Sequence, residues 1–168
     1  MDELDDSGTR SLFNGPIETG VRTVVILNAS YPSAYDINEL VWLDHLIVHS
    51  ADVGGPPSLH PKLPQRSGEI LVRRELVKNG LGLMQQFGLV SVVPSASGFC
   101  YQATETAYPL VQLLSSEYSM SLKSRAEWLA EMIGGMSRLQ LQDLITSKIG
   151  NWTVEFQNDF SDLSDNGI

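Results

Sequence analysis

Residues 87–104 read FGLVSVVPSASGFCYQAT, and this stretch decides the fold class. Leu89–Val93 and Phe99–Ala103 are short runs rich in β-branched and aromatic residues. Between them lies Pro94-Ser-Ala-Ser-Gly98, a turn sequence, so a two-stranded hairpin is predicted. Upstream, a helix is expected from about Ser67, a good cap, to about Gln86. Its apolar side is supplied by Ile70, Val72, Leu76, Val77, Leu83 and Met84, with Phe87 just beyond. Gly80 and Gly82 weaken that helix by up to ~1 kcal/mol each relative to alanine, which points to a bend or a close packing contact. Downstream, Thr104 is expected to cap a helix over Glu105–Ser115 with Pro109 in its first turns. Helix, hairpin, helix is the outline of a winged helix, in which the hairpin packs the end of the third helix against the first two.

Two more helices are expected on the N-terminal side. Pro16 suits a first helical turn, and Ile17, Val21, Val24, Val25 and Leu27 share a face as far as about Ala29. A strand over Thr23–Leu27 is the alternative there. Asp36 caps the next helix, with Glu39 in the reciprocal position of a capping box. From Ile37 to Val48 that helix is apolar nearly all round, so it is expected at the centre of the domain or against another subunit. Beyond the hairpin, Ser121 or Leu122 to Ile133 and Arg138 to Ile149 read as a C-terminal helical extension, split by Gly134-Gly135. The predicted class is therefore α+β and mainly helical. A winged-helix-like body spans 12–115, helices follow over 116–150, and acidic tails occupy 1–11 and 151–168.

Between the second and third helices runs HSADVGGPPSLHPKLPQRSGE, residues 49–69. Long connectors without secondary structure are uncommon in compact domains and are usually functional or disordered. Lys62, Arg66, Arg73, Arg74 and Lys78 place five of the eleven basic residues in this loop and the helix after it. The net charge of −9 resides almost wholly in the ends. Residues 1–6 and 155–165 carry −8, leaving the body at −1. The last segment also holds Trp152, Phe156 and Phe160 at a spacing of four, and reads either as a terminal helix on its own core or as an acidic peptide docking on a partner.

Enzymatic and metal chemistry find little support. His45 and His49 stand at i, i+4 but lack the glutamate of the zinc-protease pattern, and their surroundings are apolar, so a packed or hydrogen-bonded role is expected. Gly54-Gly55 is followed by Pro-Pro-Ser, and prolines lack the N–H groups that would cradle a phosphate. Cys100 falls in a predicted strand with no adjacent basic residue, as an inert thiol would. No nucleophile elbow exists. A non-enzyme without cofactor or metal is expected. The basic cluster then serves a protein interface, an ordinary solvated face or a DNA backbone, in that order of preference. Arginine forks well onto carboxylates, whereas Glu69, Glu75 and a pI near 4.6 oppose DNA.

The words Leu43-Asp44, Val48-His49-Ser50, Gly54-Gly55-Pro56, Ser58-Leu59-His60-Pro61, Arg66-Ser67-Gly68-Glu69 and Arg73-Arg74-Glu75 carry a resemblance. Over about residues 12–115 the chain resembles the middle component of bacterial three-component ABC-ATPase systems, similar to the small C subunit of Lamassu antiphage defence. The resemblance implies a non-catalytic adaptor bridging an SMC-like ABC ATPase to an effector nuclease, and meeting DNA only through the complex. Its partner-binding candidates are His49, Gly54, Gly55, His60, Pro61, Arg66, Arg73, Arg74 and Lys78, with Trp152, Phe156 and Phe160 in the tail. The alternative is a winged-helix DNA-binding regulator. One cysteine, an MDELDD opening instead of a cationic leader, and no apolar run long enough for a membrane lead to the expectation of a cytoplasmic protein without membrane contact.

Overall fold

The computed structural model describes residues 15–61, 66–96 and 98–147. Its elements are α1 (Pro16–Ala29), α2 (Ile37–Val48), a 3₁₀ turn (Ser50–Val53), α3 (Arg66–Gln86), β1 (Val90–Ser95), β2 (Gly98–Ala103), α4 (Ala107–Leu113), α5 (Glu117–Gly134) and a further helix, α6, over 138–147. It is mainly helical with one antiparallel hairpin, the expected α+β class.

The 16–29 segment is helical, not a strand. Pro16 sits in its first turn, and Val24, Val25, Ile26 and Leu27 are all buried. At the head of α2 the Asp36 carboxylate accepts the Glu39 N–H at 2.8 Å, satisfying a donor that the helix itself cannot. Every residue from Glu39 to Val48 is buried. The helix apolar all round is thus the central one, packed against α1, α3 and α5.

α1 and α3 cross glycine to glycine. A Cβ on Gly80 would lie 2.7 Å from the Gly20 nitrogen and 2.8 Å from the Pro16 carbonyl, whereas one on Gly82 meets nothing. The expected close contact is real at Gly80 and absent at Gly82. α3 ends on Gly88 at φ 72°, where Leu89 N–H reaches back to the Met84 carbonyl at 2.9 Å. This left-handed glycine cap swings the chain into β1.

The hairpin departs from expectation in its register. β1 runs on through Pro94, which pairs with Phe99, so the turn is shorter than Pro94–Gly98. Proline is tolerated because its missing N–H falls on the outer side of the ladder. Tyr35, between α1 and α2, exchanges two backbone bonds with Tyr101 at 3.0 and 2.8 Å and adds a one-residue third strand beside β2.

Thr104 does not cap α4. Its hydroxyl bonds the Gly88 carbonyl at 2.6 Å and closes the base of the hairpin, and α4 begins only at Ala107. α5 starts at Glu117, a turn earlier than its apolar stripe suggested, because Ser116 accepts the Ser119 N–H. The first turn exposes Tyr118 and Met120, so it leaves no apolar signature. Leu141 and Ile145 of α6 complete the core, while Leu139 stays outside. The tail anchors Trp152, Phe156 and Phe160 lie outside the described residues.

Candidate functional site

Burying a charge is expensive unless it is paired and hydrogen-bonded. The centre of this domain buries three charges. Asp44, on α2, is 0% exposed, and two arginines converge on it. Arg22 of α1 grips it as a fork, Nε to Oδ1 at 2.9 Å and Nη2 to Oδ2 at 3.2 Å. Arg73 of α3 donates through Nη1 to the same Oδ2 and to the Asp44 backbone carbonyl. Thr19 accepts a further bond from Arg22. Burial alone would raise the Asp44 carboxyl, but Arg22 and Arg73 hold it below the usual carboxylate range. One carboxylate thereby ties together three helices.

From this centre a ladder of rings leads outward. Trp42 stacks on His45, His45 lies 4.6 Å from His49, and His49 meets His60 edge-on at 6.2 Å. His60 stacks on Tyr118 of α5 and shares a 2.8 Å hydrogen bond with its hydroxyl. His45 also pairs with Asp52 at 3.2 Å. His45 and His49 thus occupy the packed role expected of them. Burial, and then the positive neighbours Arg22, His49 and Arg73, lower the His60 pKa to about 4.

Over its described residues 49–61 the Pro/Gly loop contains a 3₁₀ turn where no secondary structure was expected, and residues 66–69 belong to α3. It is held through its main chain. Leu59 and His60 N–H groups both bond the Val48 carbonyl, and Ser50 Oγ donates to the Pro56 carbonyl. α5 then clasps it at three points. Tyr118 takes His60, Arg125 donates twice to the Pro57 carbonyl at 3.1 and 2.8 Å, and the Trp128 ring fills the space where a Gly55 side chain would be, 2.3 Å from the place a Cβ would take. Gly55 is glycine because the indole occupies the space, and Gly54 because its φ of 75° demands it.

The predicted interface residues therefore separate. His49 is buried and Gly55 and His60 are engaged by the fold, while Gly54 and Pro61 are exposed. Arg73 turns inward onto Asp44 and is held by the fold. Arg74 and Lys78 face outward, Arg74 bonding Asn38 of α2. Arg66 opens α3, but its side chain is not among those described. Sequence reading missed Arg22, Asp44 as its partner, and the clasp from Tyr118, Arg125 and Trp128.

A second polar cluster lies across the domain. A cleft of about 250 Å³ is lined by residues including Tyr35, Glu39, Ile133 and Arg138. Arg138 Nη2 is 3.1 Å from both Glu39 Oε1 and the sulfur of buried Cys100. Burial and the neighbouring Asp36 raise the Glu39 carboxyl to about 7, with Arg138 opposing.

His60 and Glu39 titrate with opposite sign. Between about pH 4 and 6.5 the unfolded chain carries the His60 proton and the folded one does not, so stability rises with pH. Between 4.5 and about 7 the folded chain keeps a Glu39 proton that the unfolded chain has released, so stability falls with pH. His60→Gln is expected to leave a falling curve and Glu39→Gln a rising one, with the unaltered protein flatter than either. Urea midpoints at pH 4.5, 5.5 and 6.5 check this; parallel curves for all three proteins would contradict it.

Among the described residues no helix is long and apolar enough to cross a membrane. No curated protein and no solved structure matches the chain. A family model does, over residues 12–155, which include every element described above. Through that match, the chain belongs to the family of middle component 2 of the ABC-three component (ABC-3C) systems.

Proposed function

We propose that this middle component is a non-catalytic adaptor of a Lamassu-like antiphage defence complex, bridging an SMC-like ABC ATPase to an effector nuclease. The observation that carries the reading is the outer face of α3. Leu71 and Val72 are 58% and 63% exposed there, beside exposed Arg74, Glu75 and Lys78. Apolar residues flanked by an arginine are the composition of a protein interface more than of a solvated helix. The clasped loop lies between α2 and α3 in sequence, and its exposed Gly54, Pro57 and Pro61 extend the candidate surface.

The order helix, single bridging strand residue, helix, helix, hairpin is that of a winged helix, and it supports kinship in shape with the small subunits of condensin-type machines. The DNA-regulator reading weakens because Arg73 is committed to Asp44. Of the three basic residues over 73–78, Arg74 and Lys78 are left, with Glu75 between them.

Co-expression with the ATPase and nuclease components of its own system, followed by affinity capture, tests the adaptor. A stable complex is expected, and Arg74→Glu with Lys78→Glu should weaken it about tenfold or more, or ~1.4 kcal/mol, with an unchanged far-UV spectrum of the isolated chain. A chain that elutes alone in the presence of both components refutes the adaptor. Duplex binding by the isolated chain, lost steeply with salt, would favour the regulator.

A further inference from the structure

From Asn79 to Thr104 the chain contains no charged residue. This stretch covers the end of α3 and the whole hairpin, yet it is not all buried. Phe87, Val92 and Phe99 are 66%, 40% and 68% exposed. By the strand register, Val92, Pro94 and Phe99 stand on one face of the hairpin, with Pro94 directly opposite Phe99.

The edge beside this patch is open. Tyr101 spends both of its backbone groups on Tyr35. In an antiparallel ladder the residue opposite must then be turned the other way. That residue is Val92, whose N–H and C=O therefore point outward from β1. Pro94, two residues on, presents its carbonyl on the same side, and its absent N–H costs the ladder nothing. Among the described residues, no backbone bond from outside the hairpin reaches Val92.

We infer that the outer edge of β1 receives an extended, uncharged apolar segment of a partner protein by strand addition, centred on Val92 and flanked by Phe99 and Pro94. Strand addition takes its affinity from main-chain bonds and its selectivity from alternate side chains. The edge carries no lysine or glutamate, and its guard against pairing is Pro94 alone, which leaves the Val92 N–H and the carbonyls of Val92 and Pro94 to a partner. The patch offers no cation to a phosphate, which excludes DNA. A second copy of the chain is the alternative occupant that sedimentation tests. Charged partner segments would lose hydration there without gaining a counter-charge. The inference rests on the adaptor reading for its partner, and assigns it a surface separate from the outer face of α3.

The test uses the full chain with the purified ATPase and effector components of its system, each offered alone. Val92→Pro removes the outward N–H, which the ladder to β2 does not use, and Val92→Lys keeps that N–H but charges the edge. Both are expected to weaken capture of one component at least tenfold, with the melting temperature of the free chain retained. In the complex of the unaltered chain, the Val92 amide should exchange at least a hundredfold more slowly than in the free chain. If components bind but Val92 exchange and both variants are unaffected, strand addition is refuted and the adaptor reading survives. If neither component binds, both fail. A Val92→Pro-sensitive dimer of the chain alone, seen by sedimentation, would make the occupant a second copy and overturn the inference.

Discussion

Asp44→Ala is expected to destabilise the protein by about 3–5 kcal/mol, the cost of breaking a buried ion pair by removing one partner. Domains of this kind hold only about 5–15 kcal/mol in total, so a large part of the stability goes with one carboxylate. The reason is specific to the geometry. Asp44 is the counter-charge of two guanidiniums at once, Arg22 at 5% and Arg73 at 10% side-chain exposure. Neither finds water when the carboxylate is gone. Asp44→Asn should cost nearly as much, since it keeps the shape but not the charge. Replacing all three by Met, Leu and Met removes the charges of this cluster together and is expected to recover most of the loss. Urea unfolding monitored by far-UV circular dichroism measures all of these; a loss below about 1 kcal/mol for Asp44→Ala would contradict the account.

The second large effect separates two glycines of one helix. Gly80→Ala forces a methyl against backbone atoms of α1, and backbone cannot swing aside as a side chain can. Overpacking of this kind typically costs about 1–3 kcal/mol, and here it should exceed the gain in helix propensity. Gly82→Ala meets open space and gains up to ~1 kcal/mol of propensity. The melting temperature should fall for the first and rise for the second. Equal shifts would mean that α1 and α3 do not pack through Gly20 and Gly80.

Much of this architecture was legible in the residues. Period and caps marked α1, α2 and α3, and the Leu89–Ala103 segment marked the hairpin, because burial on one face leaves a repeating trace. What stayed hidden was long-range pairing of polar groups. Arg22 stands in Val21-Arg22-Thr23-Val24-Val25-Ile26-Leu27, and Asp44 in a helix apolar nearly all round. Charges in such surroundings must find each other, and that rule would have suggested the pair without identifying Arg73 as its third member. Arg73 and Arg74 look alike in sequence, yet helical phase turns one to the core and the other to solvent. The clasp by Arg125 and Trp128 has no sequence trace, because its acceptor is a backbone carbonyl and its other partner is the absence of a side chain.

That choice of acceptor has an evolutionary consequence. Arg125 reads the Pro57 carbonyl, Ser50 the Pro56 carbonyl, and Leu59 and His60 the Val48 carbonyl. Every residue type has a carbonyl, so these tethers are indifferent to the side chains they pass. The outward positions of the loop are thereby free to drift, while Gly55 and the carbonyl path keep the loop in place. The surface that the loop presents can change its chemistry without the scaffold being refolded.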